Sequence, residues 1–393
     1  MSRQKVWTWG GSLVGLALLA GFPFISPNEY ITHIAITAFF YATLAASWSL
    51  LAGYAGQFSF GHMAFMAIGA YTTGIFAKFV RLSTAPTNLC SPEIYLGSYY
   101  LFLLNASKNI NEPSCLEIAM ETMPVGSMIY RLPVWSGIVL AIIMGGVFGL
   151  LVGALVLRLR RTYLALFTIG FSEIIRIMLN AEIAVTDGPN GLSLPPLFPS
   201  GIGPYSEVDK IPPYMVMMVL FVGSLALMYW LANSRFGLFI RSIREDEEAS
   251  AALGVHVVRY KVLVFTITSM IAAAAGAVFA HYVSVVTPNI MLILQMSLVI
   301  SMAVIGGLES LIAAAIGAII IEFALEFLRT EIVLGPVIID MTTWRLVFFG
   351  LLLMLTLRFW NNGLIQPIIQ RITRAGVEKE TVAKRQAVVE GDV

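Results

Sequence analysis

Charge is what this sequence has least of. Only 12% of its 393 residues are Asp, Glu, Lys or Arg, against about 25% in soluble domains. A soluble core of this size needs a polar rind that is missing here, and 58% of the residues are hydrophobic. The chain therefore reads as an integral membrane protein. A net charge of +1 gives no bulk field for a nucleic acid partner. The four histidines, His33, His62, His256 and His281, lie far apart and show no metal-ligand spacing. No GxxxxGK followed by Ser or Thr occurs, which excludes ATP hydrolysis by the usual phosphate loop. No nucleophile and base share a helix face, so an intramembrane enzyme is not indicated and no cofactor is expected.

Long apolar runs are abundant. They fall near 9–26, 31–51, 62–80, 133–157, 162–181, 213–232, 262–285, 292–306, 311–328 and 342–360. The expected fold is an all-α integral membrane protein of about ten transmembrane helices, the first kept rather than cleaved as a signal peptide. The runs at 62–80 and 292–306 are the weakest, one rich in small residues and the other short, and either is a candidate re-entrant segment. Lys and Arg alternate between loops. Arg3 and Lys5, then Arg158, Arg160 and Arg161, then Arg235, Arg241, Arg244, Arg259 and Lys261, then the tail collect on one side. Retention of these residues inside places both termini in the cytoplasm of a multi-pass inner (plasma) membrane protein.

This gives a polytopic domain over 1–360, with an extracytoplasmic insertion at 82–132 and a cytoplasmic loop at 233–261, and a cytoplasmic tail over 361–393. Within the tail, GLIQPIIQRITR suits the membrane surface and lipid headgroups, and the remainder looks disordered. The insertion holds both cysteines, Cys90 and Cys115. An oxidising compartment permits a disulfide between them, worth about 3 kcal/mol by loop closure. Two free thiols are the alternative. The segment 182–212 is too rich in Gly and Pro for a continuous helix.

The stretch LAGYAGQFSFGHMAFMAIGAY, residues 51–71, breaks an apolar run with Gly53, Gly56, Gln57, Ser59, Gly61 and His62. Irregular backbone at membrane depth survives only where protein or a wet cavity satisfies it. A helix restarting near Ser59 would aim its amide dipoles at the break, a resting place for a small polar group. Close helix packing through small residues is the other reading. Chemistry alone leaves both open. His62, among Met63, Phe65 and Met66, suits a hydrogen-bonded structural residue better than a ligand.

Residues 235–261 carry the charged stretch REDEEASAALG, helix-forming and stopped by Gly254. Arg241 to Glu245 and Arg244 to Glu248 are four apart, a spacing that pairs across one turn for a few tenths of a kcal/mol. A short amphipathic helix there is a docking element for a soluble partner.

Four motifs in order, AGYAGQFSFGHMAFMAIGAY, TDGPNGL at 186–192, SIREDEEASAALGV at 242–255 and VIGGLES at 304–310, resemble the permease subunits of branched-chain amino acid ABC importers. The likeness to this LivH and LivM group, nearer to LivM, runs from about 30 to 360 apart from the insertion. It implies an ABC importer permease fold with a broken or re-entrant segment. It also implies a coupling loop at 242–255, with Arg244, Glu245, Glu248, Ala251 and Gly254 at the ATPase, and a translocation pathway at Gly56, Gln57, Ser59, Gly61 and His62. Thr186, Asp187, Gly188, Asn190 and Gly191 form the outer-mouth motif. Partners implied are a second homologous permease, two ATP-binding subunits and an extracytoplasmic substrate-binding protein. Asp187 stands where relatives usually have Gly, and Glu309 where a second Gly is common. Both departures are expected near the outer mouth or pathway, away from the coupling loop.

Among membrane carboxylates, Glu173 and Arg176 are spaced to pair, whereas Glu322 and Glu326 sit one turn apart as like charges. A hydrated groove, a subunit interface and recognition of a substrate ammonium are the readings for that pair. The function implied is transport of branched-chain or hydrophobic amino acids. Rivals are a permease for urea or short amides and, from another class, a secondary transporter or channel coupled through Glu322.

Overall fold

The computed structural model describes residues 15, 17–25, 28–82, 93–96, 99–103, 129–131, 133–156, 161–198, 210–329, 332–334, 337–339, 341–360 and 363–371. Both cysteines, Cys90 and Cys115, lie outside them.

Helix α1 (Glu29–Trp48) starts where Asn28 accepts a hydrogen bond from the Tyr30 amide at 3.1 Å, with Glu29 in the first turn. That combination satisfies an orphan donor and complements the helix dipole. The helix is mostly apolar, and 89% of the apolar stretch that it forms with the π-helical turn Ser49–Tyr54 is buried. It is the centre of the bundle. Helices α2 (His62–Lys78), α3 (Val134–Val156) and α4 (Arg161–Ala181) follow, then α5 (Ile211–Ala232) and α8 (Val257–Val283); α5 and α8 pack on α1, while α2 and α3 pack on α8 and on each other. Between α5 and α8 lie two short charged helices, α6 (Arg235–Glu245) and α7 (Glu247–Ala252). The described chain ends in α9 (Ile293–Gly306), α10 (Leu311–Phe327), α11 (Met341–Phe359) and a short segment at 363–371.

Among the described residues, five helical segments are long and apolar enough to cross a membrane. The α9–α10 pair bends by 118° at its break and is a broken span or a re-entrant loop, which makes six at most. Helix α2 covers the 62–80 run but has only 17 residues. The expected count of ten crossings is not reached on these residues: the 9–26 run lies largely outside them, and α2, α9 and α10 have 17, 14 and 17 residues, short of the roughly 20 that a hydrocarbon core asks for.

Small residues set the packing at the centre. A Cβ on Gly69 would stand 2.1 Å from the Ala273 carbonyl oxygen, and one on Gly276 would stand 2.0 Å from that of Met66. Helices α2 and α8 thus touch backbone to backbone, the approach that apolar solvent favours.

Chain direction defines two ends of the bundle. At one, Lys210 lies 3.8 Å from the Glu29 carboxylate, and Tyr30 donates to Glu326 at 2.5 Å. At the other are α6, α7, the π-helical turn and the α9–α10 bend. The 82–132 insertion, adjoining the Lys210 end, is not featureless. Strands β1 (Phe79–Leu82), β2 (Glu93–Leu96), β3 (Tyr99–Leu103) and β4 (Ile129–Arg131) form an antiparallel sheet in the order β2-β3-β1-β4. The described part of the tail, helical over 366–371, is tied to the bundle at its start. The amides of Leu364 and Ile365 donate to the carbonyls of Ile305 and Gly306 at 2.8 and 3.2 Å, capping α9 where its own ladder ends.

Candidate functional site

The break after α1 is a chain reversal. The last turn widens to π geometry, the Gln57 amide donates back to the Leu51 carbonyl at 3.0 Å, and Gly56 takes φ +66°. From there the chain folds back beside α1. Trp48 Nε1 donates to the Ser59 carbonyl at 2.8 Å, and Ser47 Oγ hydrogen-bonds with His62 Nε2 at 3.2 Å. His62 is therefore level with Ser47, about two turns inside the end of the π-helical turn. The helix restarts at His62, not Ser59. The Phe60 amide is taken by Thr168 Oγ1 at 2.9 Å and that of Gly61 by Ser59 Oγ at 3.1 Å. Gln57 is 3% exposed, and neither end of its amide has a hydrogen-bond partner among the described residues. An unpaired buried amide costs about 1–3 kcal/mol.

Arg244 joins this reversal to two other motifs. Its Nη1 donates to the Gly53 carbonyl, and its Nη2 donates to the Glu309 carboxylate in the α9–α10 bend. Gly56 lies so close that a Cβ there would stand 3.0 Å from Arg244 Cγ. Gly53 itself packs on the bend, since a Cβ would meet the Leu308 carbonyl oxygen at 2.0 Å, and Ser49 Oγ donates to that same oxygen at 2.7 Å. One side chain from α6 thus holds the end of α1 and the α9–α10 bend together.

These contacts replace the one-turn pairs expected from spacing. Arg241 lies 4.8 Å from the Tyr54 ring centre and donates to the Ala232 carbonyl at 3.2 Å, away from Glu245. The Arg244–Glu248 spacing is undone because the helix ends at Glu245. Asp246 then starts α7 by accepting from the amides of Glu248 and Ala249, both at 2.9 Å. Arg244 also approaches Glu245 at 3.6 Å. Glu309, expected near the outer mouth or pathway, instead sits against the charged helices. Lys261, mostly buried in α8, holds α7 through Glu247 at 2.6 Å. Glu245, Glu248, Ala251 and Gly254 are exposed, and so is Leu253, at 86%. An apolar tip beside those carboxylates was not singled out from the sequence, although its place just before the stop glycine was a signal.

The TDGPNGL motif lies at the other end of the bundle. Thr186 Oγ1 donates to the Leu179 carbonyl at 2.9 Å and to that of Glu182. Asp187 is left-handed at φ 60°, and the Gly191 amide closes a turn on the Gly188 carbonyl at 3.3 Å. Asn190 is exposed. Strand β5 (Leu192–Ser193) then pairs antiparallel with β6 (Val285–Val286), and Leu192 and Leu194 pack into α2 beside Tyr71. His281 fixes the loop from below, bonding with Thr73 Oγ1 and the Pro195 carbonyl, both at 2.8 Å. The structure thus brings the 53–62 and 244–254 groups together and keeps 186–191 apart from both.

Glu173 and Arg176 pair as their spacing suggested, Nε to Oε2 at 2.9 Å. Glu326 is held by Tyr30 and by Arg329 at 3.0 Å, which separates its role from that of Glu322. Among the described residues no group of His, Cys, Asp or Glu is arranged to hold a metal.

The family model described as "Branched-chain amino acid transport system / permease component" matches residues 30–357. The high-affinity branched-chain amino acid transport system permease protein LivM of Escherichia coli is 28% identical over 370 residues, covering 87% of this chain and 74% of the relative. LivM of Salmonella typhimurium is 31% identical over 55% of this chain and 57% of its own length. LivH of the same organism is 27% identical over 60% of this chain and 74% of its own. No solved structure matches. The match spans the reversal, the charged helices and the α9–α10 bend, and the chain belongs to the branched-chain amino acid transport permease family, in its LivM-like part.

Proposed function

We propose that this chain is a transmembrane permease subunit of an ATP-driven importer for branched-chain and other hydrophobic amino acids. It works in the inner membrane with both termini in the cytoplasm. It pairs with a second homologous permease, two ATP-binding subunits and an extracytoplasmic substrate-binding protein, and does not hydrolyse ATP itself. On this reading α6–α7 is the coupling element. Glu245, Glu248, Ala251, Leu253 and Gly254 meet the ATP-binding subunit, and the TDGPNGL loop lies at the outer mouth.

The single observation that carries the reading is the reach of Arg244 from the charged helices to the Gly53 carbonyl and to Glu309. When the ATP-binding subunits close and push α6–α7, Arg244 moves the end of α1 and the α9–α10 bend as one. The reversal at 56–62 then shifts and carries with it the buried Gln57 amide, which is supplied with a partner only when the pathway is wet or occupied. Selectivity rests mostly in the binding protein, since tight binding in the pathway would slow release.

The test is uptake of labelled leucine, with urea in parallel, by cells carrying this chain and its partner subunits, then lacking this chain alone. Loss of leucine uptake is expected. Loss of urea uptake alone, or leucine uptake by this chain without any ATP-binding subunit, contradicts the reading.

A further inference from the structure

A cavity of about 130 Å³ lies between α1, α2, α8 and the segment leading from α8 into α9. It lies from the reversal toward the Lys210 end. Phe40 and Phe279, stacked with centroids 4.1 Å apart, form one side, and Met63 and Met66 of α2 another. Two polar side chains reach the lining: Tyr41 Oη donates to Gln295 Oε1 at 3.4 Å.

Size and chemistry suit a small apolar group. Apolar cavities near 150 Å³ lined by aliphatic and aromatic groups stay dry and accept a molecule the size of benzene. A volume of about 130 Å³ therefore suits a branched three- or four-carbon side chain. Methionines adapt to small differences in branching, so valine, leucine and isoleucine can share one pocket. The Tyr41–Gln295 bond is long for an O–H donor and easily exchanged. The Gln295 amide then donates to a carboxylate, and Tyr41 Oη accepts from an ammonium. Urea has no apolar part to fill the remainder.

The wall is also tied to the outer loop. Val285 and Val286 line the cavity and form the strand that pairs with Leu192–Ser193, which begins at the last residue of TDGPNGL. A displacement of that loop draws one wall of the cavity with it.

We propose that this cavity holds the aliphatic side chain of a branched-chain amino acid during passage, with Tyr41 and Gln295 receiving its charged ends. The assignment rests on the importer reading above and adds the residues and the size limit. Two variants of the assembled transporter test it, Ala70→Leu to fill the cavity and Met66→Ala to enlarge it. Uptake of alanine, leucine and phenylalanine is compared with the unsubstituted chain, so that the preference of the common binding protein cancels. Ala70→Leu lowers leucine uptake relative to alanine by about tenfold or more, the range set by one or two misplaced methylenes. Met66→Ala raises phenylalanine relative to leucine by a similar factor. If Ala70→Leu fails to reach the membrane, Met66→Ala decides alone. Equal scaling of all three amino acids in the variants overturns the cavity assignment while leaving the importer standing. Absence of amino acid uptake by the unsubstituted assembly overturns the importer reading itself.

Discussion

Arg244 and Glu309 are both partly exposed, with side chains 29% and 52% accessible. An ion pair so placed is worth about 0–1 kcal/mol. Its significance is positional, because the same guanidinium also takes the Gly53 carbonyl at the end of the most buried helix. Glu309→Gln is accordingly expected to change stability by less than about 1 kcal/mol in denaturant unfolding. Leucine uptake at saturating ATP is expected to fall by roughly 5- to 150-fold, the span of ordinary coupling energies. An unchanged uptake rate would reduce the pair to surface decoration. The sequence marked Arg244 as chemistry-bearing but assigned it the wrong partner. Spacing within one helix was the only geometry it offered, whereas the Gly53 carbonyl and Glu309 come from 191 and 65 residues away.

At the scale of elements, hydropathy located α1, α3, α4, α5 and α8 to within a few residues, because long apolar runs carry their own length criterion. The reversal at 53–61 was legible as a break but not as a fold-back. Its geometry depends on Trp48 meeting Ser59 and on Thr168 in α4. Asp246 splitting α6 from α7 was missed because a capping aspartate inside a charged run looks like one more exposed charge. Close helix contact gives a sharper test of the packing. Gly276→Val puts a branched Cβ against the Met66 carbonyl and should destabilise the protein by at least about 1–3 kcal/mol, the usual cost of overpacking. Gly170→Ala in α4, where nothing lies within 4 Å, should be neutral or stabilise by up to about 1 kcal/mol. Thermal melts of the two in the same detergent should move in opposite directions or differ by that margin. Equal shifts would contradict the packing at α2–α8.

Over the whole molecule, burial is uneven in a way that suits an assembly. The apolar stretch of α1 and the turn that continues it is 89% buried, whereas those of α4 and α5 are only 17% and 28% buried. Their exposed Leu, Ile, Met and Trp side chains need lipid or another apolar surface. At the opposite extreme, the exposed end of α7 presents carboxylates and Leu253 to water. Substituting Leu253→Asp there should weaken copurification of the ATP-binding subunit without altering the amount of permease in the membrane. Full copurification would remove that face from the interface.

The most direct measurement is of leucine uptake and ATP hydrolysis together in the assembled transporter carrying Arg244→Ala. The account predicts that the ATP-binding subunits stay attached and continue to hydrolyse, while leucine carried per ATP falls by about tenfold or more. The moving helices would have lost their hold on α1 and on the α9–α10 bend. An unchanged ratio of leucine to ATP would contradict it.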